Sequence, residues 1–141
     1  MSPSKTSPPR QTPPRRDAVV EIAPAETPMR DLAPEIHRQR LVIEGVPQRP
    51  VEAAHIVEYL DGLSRTCGMV TLLEPVTHRS ERFGWAGWIH WETSGAHFYA
   101  WESPQLFLSV DIYTCKSFDP VAAVEFTAAY FETDTIVAKE F

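Results

Sequence analysis

The sequence predicts an α+β fold, a two-layer sandwich of a mostly antiparallel sheet with two helices on one face. Three observations predict it. Runs rich in Val, Ile, Phe, Tyr and Trp occupy 40–45, 69–74, 88–92, 97–102 and 106–115. Only 50–68 and 119–131 carry helical spacing. The resulting order is β-α-β-β-β-β-α with a last short strand in "TIVAKEF", and short connections between successive strands favour antiparallel pairing.

Each element has its own signals. "RLVIEG" (40–45) is a first strand ended by Gly45. Pro50 opens the first helix, Ala53, Ile56, Val57, Leu60 and Leu63 repeat at helical spacing, and Gly68 closes it. "MVTLLE" (69–74) is a strand stopped by Pro75, and "VTHRSERFGWAG" is expected to be a polar loop. "WIHWE" (88–92) and "HFYAWE" (97–102) are the arms of a hairpin, with Ser-Gly in a four-residue turn over 93–96. In 106–115, Leu106, Leu108, Val110 and Ile112 share a face opposite Phe107. Asp119 is a good N-cap, Pro120 suits the first helical position, and Val121, Val124, Ala128 and Phe131 are expected on the buried face. The sheet face without helices should carry Trp, Phe and Tyr and meet a ligand or another subunit.

The chain has 141 residues, 43% of them hydrophobic, enough for one domain with a core. Residues 1–35 hold eight of the thirteen prolines and are expected to be a disordered, basic tail, with the domain over 36–141. That domain carries eight Lys/Arg against fourteen Asp/Glu, a poor balance for binding nucleic acid. Two widely spaced cysteines make neither a disulfide framework nor a zinc site. There is no cluster with metal-ligand spacing, no glycine-rich phosphate loop and no run long enough for a membrane span. A soluble, cytoplasmic protein with reduced thiols is the expectation.

"SVDIYTC" followed by an Asp-Pro helix start is similar to the "A-V-D-V-F-T-C-G…D-P-W" segment of prokaryotic S-adenosylmethionine decarboxylases. "HRQRLVIEG" resembles that family's opening "R-H-L…D-L-Y-G" strand, and "THRSERFGWAG" its "F-H-x-F…G-V-S-G" loop. The resemblance runs from about residue 36 to the end of the chain. It implies a chain that cuts itself at a serine and converts that serine to a pyruvoyl group, which then serves as electron sink for decarboxylation. S-adenosylmethionine, or a related amine or amino acid, is the implied substrate, spermidine synthesis the implied context, and a homodimer the implied assembly.

Residue by residue, Cys115 matches the family's proton-donating cysteine. The family's "E-S-H-x-x-I-H-T-W-P-E" falls on 93–105 in two ways. Counted back from Pro104 without gaps, Ala96 takes the serine place and His97 the following histidine. With two residues inserted after Ser94, Ser94 takes the serine place and Thr93 the glutamate place. Both put Trp101 at the processing histidine, where an indole cannot exchange a proton as imidazole does. His97 and Glu92 are then the supporting groups, with His90 and His78 as further imidazoles. The family's ribose-binding glutamate reads Gln105, which can hydrogen-bond a diol without charge assistance, and Glu102 stands nearby. Phe83 and Trp85 occupy the place of the ring that stacks on adenine. His37 matches an early family histidine, and His55 has no assigned role. A relative that kept the fold and lost the pyruvoyl group, binding a ligand or regulating a partner protein, is the alternative that the Ala96 alignment favours.

Overall fold

The structure is a computed structural model that describes residues 19–141; the first half of the expected Pro-rich tail lies outside the described residues. The chain divides between Ala33 and Pro34. In the first unit, Arg30 pairs with Glu21 at 2.9 Å and the Thr27 N–H closes a turn on the Pro24 carbonyl.

The second unit is an α+β sandwich. Its elements are β1 (Gln39–Gly45), α1 (Ala53–Thr66), β2 (Thr71–Ser80), β3 (Gly84–Trp91), β4 (Ser94–Trp101), β5 (Phe107–Thr114), α2 (Pro120–Phe131) and β6 (Ile136–Glu140). The strands form one sheet in the order β2-β3-β4-β5-β1-β6, every pairing antiparallel. Period-two alternation sorts the residues. Leu41, Ile43, Ile89, Trp91, Ala96, Phe98, Leu108, Val110 and Ile112 point to the helices and are buried. Tyr59 of α1 anchors this core, with its ring 5.3 Å from Phe98, 5.5 Å from Phe126 and 4.9 Å from Phe131. Its hydroxyl meets Thr127 Oγ1 at 2.7 Å, and burial pushes its pKa far up, so it stays a neutral phenol. The Trp91 indole N–H donates to Ser64 Oγ at 2.7 Å, which donates to the Leu60 carbonyl. The polar atoms of Tyr59, Thr127, Ser64 and Trp91 are thus paired, as burial requires, while the buried Thr133 Oγ1 has no partner among the described residues.

Capping explains the helix ends. Glu52 and His55 form a reciprocal capping box at the start of α1. The Asp119 carboxylate accepts from the Val121 and Ala122 N–H groups, a cap worth about 1 kcal/mol. At Gly62, a Cβ would lie 2.4 Å from Phe126 Cζ, so glycine lets the two helices cross closely.

Three local expectations need correction. The 76–87 stretch is not a loop: β2 runs through Pro75 to Ser80 and turns tightly into β3. It is an edge strand with register shifts between Thr71 and Val76, and an edge tolerates proline because that N–H has no ladder partner. The β3–β4 turn is the two residues Glu92 and Thr93, and Ser94 already belongs to β4. In α2, Ala123, Thr127 and Phe131 are the buried residues and Val121 is 61% exposed. That helix is apolar all round, so spacing alone could not choose its face.

Candidate active site

The helix-free face of the sheet carries Arg40, Trp88, His90, His97, Tyr99, Trp101, Phe107, Asp111 and Tyr113. Register sets their neighbours. His97 lies between Trp88 and Asp111, and Gly95 between His90 and Tyr113, with Arg40 beyond Tyr113. Gly95 has no side chain, and the gap leaves a hollow of about 610 Å³ in this face, walled by Arg40, Trp88, His90, His97, Asp111 and Tyr113, with Ser94 at its edge.

The hairpin tip beside the hollow is pinned on both flanks. The Glu92 N–H donates to the Val70 carbonyl at 2.9 Å and Thr93 Oγ1 donates to Met69 Sδ at 3.4 Å. On the other flank the Cys115 N–H donates to the Thr93 carbonyl at 2.8 Å. Ser94, held between them, has a φ of +130°, a region L-residues rarely occupy and which costs on the order of 1–3 kcal/mol. Its Oγ lies 3.4 Å from Cys115 Sγ, and Cys115 is an exposed free thiol. Cys67 is the opposite case: burial pushes its thiol up to about 11, and it is inert at neutral pH.

The sequence-derived residues therefore separate into two groups. Ser94 and His97 line the hollow, Cys115 stands beside Ser94 with Sγ 3.4 Å from its Oγ, and Glu92 sits in the adjoining turn. His97 Nδ1 also meets the Tyr99 hydroxyl at 3.2 Å. Phe83, Trp85, Glu102 and Gln105 lie at the other end of the hairpin, seven residues along β4 and roughly 24 Å away within one chain. There the Glu102 N–H donates to the Phe83 carbonyl, Glu102 pairs with Arg79 at 3.7 Å, and Trp85 packs against the core. Trp101, at the processing-histidine place, belongs to that far end.

Sequence reasoning gave no role to Arg40, Trp88 and Tyr113. Arg40 forks onto Asp111, with Nε to Oδ1 at 3.0 Å and Nη2 to Oδ2 at 2.8 Å. That hydrogen bonding raises the Arg40 pKa further. The guanidinium also lies 5.0 Å from the centre of the Phe141 ring. Outward alternation in β1, β3 and β5 was the signal that could have found all three.

No helix among the described residues is long and apolar enough to cross a membrane, and no three metal-ligating side chains cluster there. What the fold and site define is an α+β sandwich with a strained serine at the lip of an open sheet-face hollow and a free thiol beside that serine. The S-adenosylmethionine decarboxylase family model matches residues 44–141, and the chain belongs to that family. The fold is similar to the crystal structure of the adenosylmethionine decarboxylase from Aquifex aeolicus, with a TM-score of 0.62 and 15% identity over 75% of this chain and 89% of that one. No individual curated protein matches the chain in sequence.

Proposed function

We propose that this protein is a self-processing, pyruvoyl-dependent decarboxylase of S-adenosylmethionine that cuts itself between Thr93 and Ser94. The observation that carries the proposal is the geometry of that bond. Ser94 holds a strained φ of +130°, and the carbonyl before it accepts a hydrogen bond from the Cys115 N–H. A donor on that oxygen stabilises the negative charge that builds up when a nucleophile adds to the carbonyl carbon. Scission would relieve the strain.

The step balances without an oxidant. Ser94 Oγ adds to the Thr93 carbonyl carbon, its proton passes to the departing nitrogen, and the Thr93–Ser94 amide becomes an ester. Loss of the Ser94 Cα proton expels the Thr93 carboxylate. The dehydroalanine that remains takes up water and releases ammonia, so the second chain begins with a pyruvoyl group. The residues present fit that group, since position 94 is a serine beside an open hollow and a free thiol. When bound, a pyruvoyl group supplies a carbonyl that condenses with the substrate amine and accepts the electron pair freed with CO₂. Cys115 holds an exchangeable proton at Sγ next to position 94, and His97 and His90 bring imidazoles to the same hollow.

Ser94 also fits better than Ala96. Ala96 borders the same hollow, but it is 2% exposed and its side chain faces the core with Phe98, which leaves a reactive group there less room than at Ser94. A homodimer through the open sheet face accounts for Tyr99 and Tyr113, 42% and 48% exposed beside other rings. A reducing cytoplasm suits Cys115, which must remain a thiol to hold a proton. The second reading, a non-catalytic relative, draws on Trp101 and its distance from Ser94.

Intact mass spectrometry of freshly purified full-length protein, beside Ser94→Ala, decides between them. Two chains split between Thr93 and Ser94, the second beginning in pyruvate, are expected for the parent, and one whole chain for the variant. A parent that stays whole after long incubation sinks the enzyme and leaves the non-catalytic relative.

A further inference from the structure

Three segments meet around the Thr93–Ser94 bond: the turn 68–70 after α1, the hairpin tip 92–94 and the end of β5 at 114–116. Two links hold the tip to the first turn, the Glu92 N–H on the Val70 carbonyl and Thr93 Oγ1 on Met69 Sδ. A third, the Cys115 N–H on the Thr93 carbonyl, holds the tip to β5. Lys116 closes the ring: its Nζ donates to the Gly68 carbonyl at 2.8 Å, across 48 positions of chain. This contact is charge-assisted. The carbonyl also lies at the C-terminal end of α1, where partial negative charge gathers and a cation is favoured.

Both ends of that last link are fixed. Gly68 takes a φ of +67°, its N–H donates to the Arg65 carbonyl, and the Met69 N–H donates to the Ser64 carbonyl, which locks the turn onto α1. Tyr59, Leu60 and Leu63 in turn seat α1 in the core. On the other side, buried Thr114 donates through Oγ1 to the Lys116 carbonyl at 2.7 Å. Cys115 itself lies past the last β4–β5 ladder pair, Ser94–Thr114, where strand ends fray unless they are held. The family segment that "SVDIYTC" resembles has glycine after its cysteine, with no side chain to reach across, whereas this chain has Lys116.

We propose that Lys116 is a positioning residue for self-cleavage. By tying the end of β5 to the end of α1, it keeps the Cys115 N–H on the Thr93 carbonyl while Ser94 Oγ adds to it. It touches neither reacting atom. The inference rests on the reading of Thr93–Ser94 as the bond that is cut. A donor helps only when it is in place before charge develops on the oxygen. The φ of +130° at Ser94 also persists only where the surroundings over-determine it, and the closed ring does so. Lys116→Met keeps the stem and loses the donors, and Lys116→Arg restores them. In full-length chains that also carry Ser94→Ala, and so stay whole, amide hydrogen exchange at Cys115 is expected to rise about tenfold with Lys116→Met and to stay within about threefold with Lys116→Arg. The Ile112 amide, in the middle of the sheet, should stay within about twofold in both. In chains with Ser94 intact, sampled with time from cell-free synthesis, intact mass should show Lys116→Met cutting about tenfold more slowly than the parent and Lys116→Arg within about threefold of it. Melting temperatures should move by less than about 3 °C, since Lys116 is exposed.

Unchanged exchange at Cys115 in Lys116→Met overturns the role of Lys116. So does a Lys116→Arg protein as impaired as Lys116→Met, because the donor to Gly68 is then not what matters. A rise at Ile112 as large as that at Cys115 overturns it as well, by showing a general loosening of the sheet. The two measurements separate this inference from the enzyme proposal. A parent that cuts itself no faster than Lys116→Met leaves the decarboxylase and removes the positioning role. A parent that stays whole, with faster Cys115 exchange in Lys116→Met, removes the self-cleavage and leaves Lys116 as the strut of an uncut turn.

Discussion

Ser94 and Cys115 meet twice across the β4–β5 ladder: Oγ lies 3.4 Å from Sγ, and the Cys115 N–H holds the carbonyl that precedes Ser94 at 2.8 Å. One residue therefore offers two separable services, a backbone donor to the carbonyl of the proposed cleavage site and a thiol beside Ser94.

Substitution should separate them. Cys115→Ala keeps the N–H and is expected to cut itself, while CO₂ release from S-adenosylmethionine falls about a hundredfold or more with loss of the general acid. Cys115→Pro lacks the N–H and should remain whole. Intact mass and radiolabelled CO₂ release read the two effects. An uncut Cys115→Ala protein would mean that the thiol, not the amide, serves scission.

The thiols should also differ in reactivity. At pH 8 a disulfide reagent is expected to modify exposed Cys115 in the native protein and to reach Cys67 only in denaturant. Two equally fast thiols in the native state would contradict the burial of Cys67.

Stability should fall at alkaline pH. The Cys67 thiol titrates at about 11 in the fold against a reference of 9.0, and Tyr130 at about 12 against 10.0, both through burial first. A raised folded pKa means the native state keeps its proton after the unfolded chain has lost it. Its stabilising contribution is complete below about pH 9 and is lost as pH rises from about 9 to 12, by at most ~1.4 kcal/mol per pH unit for each group. Tyr130 is mostly solvent-screened, so Cys67 should dominate. Urea melts of the parent and Cys67→Ala from pH 8 to 11 test this. The variant starts less stable and should show the shallower decline.

Close packing at the helix crossing gives a fourth outcome. Gly62→Ala drives a methyl into the Phe126 ring and should cost about 1–3 kcal/mol. Phe126→Leu should recover part of that loss in the double variant. Additive losses in a double-mutant cycle would show that the two residues do not meet as described.

Much of the fold was legible because its signals are local. Alternation in 106–115, the Asp119-Pro120 start of α2 and the spacing of Ile56, Leu60 and Leu63 act over a few residues, and all three hold in the structure. Where the local signal was degenerate, it misled. Pro75 reads as a stop unless the strand is known to lie at a sheet edge, and an all-apolar α2 has no face until the sheet selects one.

The sequence by itself determined the α+β class, the element order, the family resemblance and the cysteine that matches the family's. Covalent order and side-chain period suffice for these. The tertiary structure alone decided that Ser94 lies against Cys115 while the Ala96 side chain turns to the core, and that Phe83, Trp85, Glu102 and Gln105 sit at the far end of the same hairpin. It alone joined Arg40 to Asp111 across 71 positions of chain. The physical reason is register: a one-residue slip turns every side chain of a strand to the other face, and no short stretch of sequence records which partner a strand will meet.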